Sequence, residues 1–209
     1  MFDLMTKEAV ASVAIDLDLG GTKLTRRSGL LHSTRLATRA GWREVESLAV
    51  GDEVLTFDSG FQPVTAIERV INWPDQETCP DHVAPFEIPA GVLGNHERVC
   101  VLPNQLVVVE SDLAEELTGD PFALVPVDVL DGWLGIQRVL PRAPHEVVAV
   151  HFAQDQVVYA GDGALLHVQA DASILDTALG THEARYQPLE RPIARLIADD
   201  LKAKSGRNQ

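Results

Sequence analysis

Short apolar runs recur through the middle of the chain, between residues 28 and 170, and β-branched residues are frequent in them. Glycine, proline, aspartate and asparagine separate the runs at close intervals, which is typical of short strands joined by turns. The predicted strands are Arg35–Thr38, Glu53–Phe57, Gln62–Val70, Phe86–Ile88, Arg98–Leu102, Gln105–Glu110, Ala123–Pro126, Glu146–Phe152, Gln156–Ala160 and Leu165–Gln169. This pattern predicts an all-β domain.

Helical periodicity is much rarer than strand periodicity. Asp112–Leu117 predicts one helical turn, with Ser111 or Asp112 placed to cap it. Pro192–Lys204 predicts an amphipathic helix, because its apolar residues fall at helical spacing and proline suits a first turn.

These patterns divide the chain into three predicted parts. Residues 1–27 form an N-terminal arm with one strand at Val10–Leu19, and residues 28–170 form the β domain. Residues 171–209 form a C-terminal tail that holds the amphipathic helix. The 209 residues are 45% hydrophobic, which is enough for one compact core.

The net charge of −14 narrows the range of partners. Phosphate backbones and anionic membranes attract basic proteins, so neither nucleic acid nor a membrane is an expected partner. No apolar run approaches the roughly 18 residues of a membrane span. The first residues also lack the basic start and apolar core of a secretory signal. These observations predict a cytoplasmic location, with secretion without a signal as the alternative.

The most informative stretch begins at residue 33. Thr34, Leu36 and Thr38 form a T-x-L-x-T strand. A step with the pattern V-x-x-L-x-V-G-D-x-V follows it, made of Val45, Leu48, Val50, Gly51, Asp52 and Val54. This order resembles the opening of hedgehog/intein (Hint) self-processing domains of the bacterial type. In that family a catalytic cysteine comes before the T-x-L-x-T strand, and its position here is Gly29.

The resemblance continues to residue 168. Leu102-Pro103-Asn104 is similar to the family's second block, with Gln105 where the family has histidine. In the closing hairpin Asp155 takes a histidine position. Gly163 and His167 are similar to the intein ending, and Val168 replaces its terminal asparagine.

The resemblance implies both a fold and a chemistry. The fold is a Hint-type horseshoe of short strands with pseudo-two-fold symmetry. The chemistry is attack by a cysteine or serine on the preceding carbonyl, helped by a histidine, and it uses no cofactor. Gly29 has no side chain to attack with, Gln105 carries no proton through pH 7, and Val168 cannot cyclise. The catalytic positions are therefore degenerate, and the family's chemistry is not expected here.

Two serines and one histidine keep an alternative open. Ser28 or Ser33 could supply an atypical nucleophile, although Ser28 is one residue early and Ser33 occupies a turn position. His167 is interpreted either as a relic of the assisting histidine or as an ordinary residue at the edge of the core.

Four residues have the spacing of a tetrahedral zinc site: Cys79, His82, His96 and Cys100. The favoured interpretation is structural, because Cys100 falls in a predicted strand where an apolar side chain is expected. Cys79 and His82 fall in a proline-rich loop. No metal is expected.

Two functions from different classes follow. The first is a Hint-like module that has lost self-processing, a pseudoenzyme that binds a protein partner. The second is an active self-processing domain that uses Ser28 or Ser33. If the family frame is right, one cleft between two pseudo-symmetric halves should bring together Gly29, Thr34, Gln105, Asp155 and His167.

Overall fold

The computed structural model describes residues 29–73, 79–140, 145–170 and 185–206. The strands are β1 (Leu30–Leu31), β2 (Arg35–Thr38), β3 (Gly41–Glu44), β4 (Glu53–Thr56), β5 (Gly60–Pro63), β6 (Ala66–Trp73), β7 (Phe86–Ile88), β8 (Val99–Val101), β9 (Leu106–Glu110), β10 (Phe122–Pro126), β11 (Gln137–Arg138), β12 (His145–His151), β13 (Gln156–Ala160) and β14 (Ala164–Val168). The helices are α1 (Asp112–Thr118) and α2 (Arg191–Ser205). The predicted all-β class is confirmed. The predicted arm at 1–27, with its strand at Val10–Leu19, lies outside the described residues.

Two antiparallel sheets organise the strands. The six-stranded sheet has the order β11-β7-β8-β1-β12-β6. The eight-stranded sheet has the order β10-β9-β14-β13-β2-β4-β5, with β3 paired to β2. In the first sheet β1 lies in the middle, because Leu30 is opposite both Val101 of β8 and Val148 of β12. The residue just before β1 is therefore held inside the sheet. The pseudo-two-fold relation between two halves stays a prediction.

The strand predicted at Gln62–Val70 is wrong in one respect, because the chain changes sheets within it. β5 ends at Pro63 and pairs with β4, whereas β6 begins at Ala66 and pairs with β12. Thr65 lies between them, and its N–H donates to the His151 carbonyl at 2.9 Å. One apolar run thus supplies a strand to each sheet.

The first helix is confirmed with its cap. The Ser111 hydroxyl accepts from the Ala114 N–H at 3.3 Å, so Ser111 rather than Asp112 caps α1. Gly119 ends the helix in the left-handed region, at φ 80°. Among the described helices, none has the length and apolar character needed to cross a membrane.

The second helix is also confirmed, and it belongs to the core. Apolar side chains from both sheets and from α2 form one buried cluster. The residues that α2 supplies to it are Ala194, Ile197, Ala198 and Leu201. The Trp133 indole N–H donates to the Ser205 hydroxyl at 2.9 Å and ties the end of the helix to the body. The division of the chain into a domain and a tail stays a prediction, but α2 packs as part of the same folded unit.

Candidate functional site

Gly29 lies where β1 begins and leaves no room for a side chain. Its φ is +136°, a backbone conformation that residues other than glycine rarely adopt. A Cβ built on Gly29 would lie 2.6 Å from Cγ1 of Val147, a buried residue of β12. Both the backbone conformation and the neighbour therefore exclude a larger residue in this geometry.

Gln105 holds the backbone of Gly29 in place. Its Oε1 accepts the Gly29 N–H at 3.1 Å. Its Nε2 donates to the His167 carbonyl at 2.7 Å and to the Leu106 carbonyl at 3.2 Å. Both ends of this buried amide are satisfied, as a buried polar group requires. The peptide N–H between residues 28 and 29 thus meets an acceptor that cannot deliver a proton at neutral pH.

His167 and Asp155 form the far end of the same cluster. Each is only 7% exposed, and His167 Nε2 lies 3.9 Å from Asp155 Oδ2. That distance is too long for a hydrogen bond, and Nε2 is buried with no hydrogen-bond partner among the described residues. Asp155 Oδ1 accepts the Ala170 N–H at 2.8 Å, which fixes the carboxylate beside the end of β14. The pair is close enough to attract if the imidazole gains a proton.

The structure brings together four of the five residues expected in one cleft. Hydrogen bonds connect Gly29 to Gln105 and Gln105 to the His167 backbone, and Asp155 lies beside the His167 ring. Thr34 is buried, but its backbone bonds run to Leu31 and Val45 and not to this cluster. Gly29 and Gln105, which the resemblance predicts to be neighbours, are in direct contact.

Family comparison supplies an independent observation. The family model described as "Hint domain" matches residues 28–166, more than half of the chain. The chain belongs to the Hint domain family. The match begins one residue before Gly29 and ends inside β14. It therefore includes Gly29, Gln105 and Asp155 and stops one residue before His167.

Several solved structures are similar to this Hint domain. The crystal structure of the gp41-1 intein is 13% identical with a TM-score of 0.41, and the match covers 68% of this chain and 98% of that chain. The intein-like domain from Clostridium thermocellum is 11% identical with a TM-score of 0.46, covering 68% of this chain and 99% of that chain. No match was found among the curated proteins.

Of the two serines predicted as atypical nucleophiles, the structure describes only Ser33. Ser28 lies outside the described residues. Ser33 sits in a turn at φ 68°, and its hydroxyl donates to the His32 carbonyl at 2.6 Å. Its N–H donates to the Glu46 carboxylate, which also lies 3.0 Å from His32 Nδ1. These contacts anchor the turn of the Hint domain and direct the Ser33 hydroxyl proton toward a backbone carbonyl.

The four residues with zinc spacing do not form a site. All four lie in the described ranges, where no three histidine, cysteine, aspartate or glutamate side chains come close enough to hold a metal ion. Cys100 instead packs against a small apolar cluster of Leu31, Leu102 and Val147. Burial raises the pKa of the Cys100 thiol, and it also raises the pKa of Cys79. Neither cysteine is therefore activated as a thiolate.

Sequence reasoning missed Tyr186, which covers His167. The two rings meet edge to face, with centroids 5.8 Å apart. The Tyr186 hydroxyl donates to the Asp58 carboxylate, which lies just after β4. Burial, and then the bond to Asp58, raises the pKa of Tyr186 to about 12. No local pattern could have found this contact, because it joins positions 128 residues apart.

This raised pKa predicts a loss of stability at high pH. The unfolded chain loses the phenol proton near pH 10, whereas the folded chain keeps it until about pH 12. The stabilisation is therefore complete below pH 10 and declines as the pH rises to about 12. Urea unfolding at several pH values in this window should show a smaller decline for Tyr186→Phe than for the natural chain. Parallel declines in the two proteins would contradict the assignment to Tyr186.

Proposed function

We propose that this Hint domain has lost self-processing and acts as a protein-binding module. The observation that carries the proposal is Gly29, which offers no nucleophile and, beside Val147, no room for one. Self-processing in the family begins with a side chain at this position attacking the preceding carbonyl. Without that attack no ester or thioester forms.

Gln105 supports the same proposal. Its Oε1 accepts the N–H of Gly29 at 3.1 Å. This N–H belongs to the amide between residues 28 and 29, which self-processing would break. General-acid help requires a group that can deliver a proton to the leaving nitrogen, and a neutral amide cannot do this near pH 7. The position can therefore orient the peptide bond but cannot assist its cleavage.

Exposed aromatic residues support a binding role. Phe57 and Phe122 are 45% and 49% exposed, and their rings meet edge to face with centroids 6.2 Å apart. The ring of Tyr159 also lies close to that of Phe57, with centroids 6.4 Å apart. Contiguous exposed aromatic surface is typical of sites that contact another protein.

Intact mass spectrometry tests the loss of self-processing. We expect a single mass for the full chain carrying an N-terminal tag, unchanged by hydroxylamine or dithiothreitol, because no ester or thioester is present to be cleaved. A fragment that begins at residue 28 or residue 33 would contradict the proposal. The variants Ser28→Ala and Ser33→Ala, examined separately, would then show which hydroxyl is responsible.

A further inference from the structure

We propose that the surface beside His167 is a binding site for a tyrosine side chain carried by a peptide, and that Tyr186 fills this site in cis. The inference rests on the proposed function, since it names the ligand that the binding module takes. Three features of the structure carry it: the face on which His167 lies, the contacts of Tyr186, and the course of the segment after it.

The site lies on the outer face of the eight-stranded sheet. Val157 of β13 is opposite His167 of β14, and side chains alternate along a strand, so Val157, Tyr159 and His167 share one face. The intervening Val158 and Leu166 point the other way, into the core cluster. On this face Val157 and His167 are only 2% and 7% exposed, and the ring of Tyr186 is part of what covers His167.

Tyr186 is recognised there by both its ring and its hydroxyl. The His167 ring meets it at an interplanar angle of 81°, the edge-to-face geometry that aromatic rings prefer. The hydroxyl donates to Asp58. A phenylalanine could keep the ring contact but would leave the Asp58 carboxylate without this donor. The contacts thus select tyrosine over phenylalanine.

Neighbouring residues indicate the sequence of a matching peptide. Arg185 donates to the Ser59 hydroxyl and lies 3.9 Å from the Asp58 carboxylate, so a basic residue before the tyrosine fits. Three residues after the tyrosine, the Leu189 N–H donates to the Leu124 carbonyl at 3.1 Å. Leu124 belongs to β10, the outermost strand in the order of the sheet. A backbone hydrogen bond to an edge strand is one element of a recurring mode of peptide recognition.

Tyr186 of the chain itself competes with a peptide for this site and so lowers the apparent affinity for the peptide. A peptide can bind only the fraction of molecules in which Tyr186 has left its place, and its apparent affinity falls by that fraction. The aromatic surface formed by Phe57, Phe122 and Tyr159 lies beside the site and provides further contact area for a longer partner.

A peptide copied from the chain tests the site. The probe is acetyl-Arg-Tyr-Gln-Pro-Leu-Glu-amide, the sequence of residues 185–190, titrated into the full chain by calorimetry. The double variant Arg185→Ala, Tyr186→Ala should bind it at least about tenfold more tightly than the natural chain, because the tyrosine position beside His167 is vacated. The bond from Leu189 to Leu124 remains in the variant, so the gain reports the tyrosine position. A peptide with phenylalanine for tyrosine should bind that variant at least about fivefold more weakly, since one hydrogen bond to a charged group is lost.

A matched substitution isolates the hydroxyl contact. Adding Asp58→Asn to the double variant should reduce the difference between the tyrosine and phenylalanine peptides. Equal affinity of the peptide for the natural chain and the double variant would overturn the proposal, as would no saturable binding to a variant that circular dichroism shows to be folded. If the double variant does not fold, Tyr186→Phe replaces it, and a peptide affinity no higher than that of the natural chain overturns the proposal.

The two proposals fail in different ways. Cleavage seen by mass spectrometry with normal peptide binding would refute the loss of self-processing and leave the tyrosine site in place. An intact chain whose vacated site does not bind the peptide would refute the tyrosine site alone.

Discussion

Replacing Gly29 with alanine is expected to lower the free energy of unfolding by about 2–5 kcal/mol. Two costs combine in this change. The backbone at φ +136° strains a residue with a Cβ, and that Cβ would lie 2.6 Å from Cγ1 of buried Val147. Gly29→Cys should be destabilising for the same reasons, so placing the family's nucleophile at this position does not restore the site.

Urea unfolding followed by circular dichroism measures this effect, and Gly41→Ala is its matched control. Gly41 has φ +99°, but a Cβ there meets nothing within 4 Å. The control therefore reports backbone strain alone, about 1–3 kcal/mol. A loss for Gly29→Ala no larger than that for Gly41→Ala would show that the contact with Val147 is unimportant.

Ile197→Ala is expected to destabilise the fold by about 2–4 kcal/mol, because it removes a large side chain from a packed core. Ile197 is 0% exposed and joins the cluster that both sheets share. Its neighbour Leu196 is 52% exposed on the other side of α2, so Leu196→Ala should change stability by no more than about 0.5 kcal/mol.

These two variants decide whether the C-terminal helix is integral to the fold. Each is measured by chemical denaturation, with a single transition as the sign that one cooperative unit unfolds. Equal, small effects at the two positions would mean that α2 only rests on the domain. A separate early transition in Ile197→Ala would mean that the helix unfolds independently.

The sequence predicted the strands that carry their own pattern. β2 at Arg35–Thr38 and β13 at Gln156–Ala160 have the predicted bounds. The pattern could not reveal β1, because Leu30–Leu31 is too short to show any periodicity. β1 is defined by its partners β8 and β12, which lie far along the chain. Strands held mainly by distant partners leave little local signal.

The same distinction applies to the site. The order of short motifs predicted that Gly29, Gln105 and His167 would meet, because in the resembled family the strands that carry these motifs lie side by side. It could not predict the cover over His167. The contact of Tyr186 with Asp58 depends on how the segment after residue 184 returns across the sheet, and no periodic pattern marks that return.

The position of Val147 sets an order for any redesign of this domain. Its Cγ1 methyl group lies 2.6 Å from the position that a Cβ of residue 29 would take. A designer who wants a nucleophile there must first open space with a smaller residue at position 147, and only then exchange the glycine. The backbone strain at φ +136° remains in either order. Changing position 147 first spares only the additional contact with Val147.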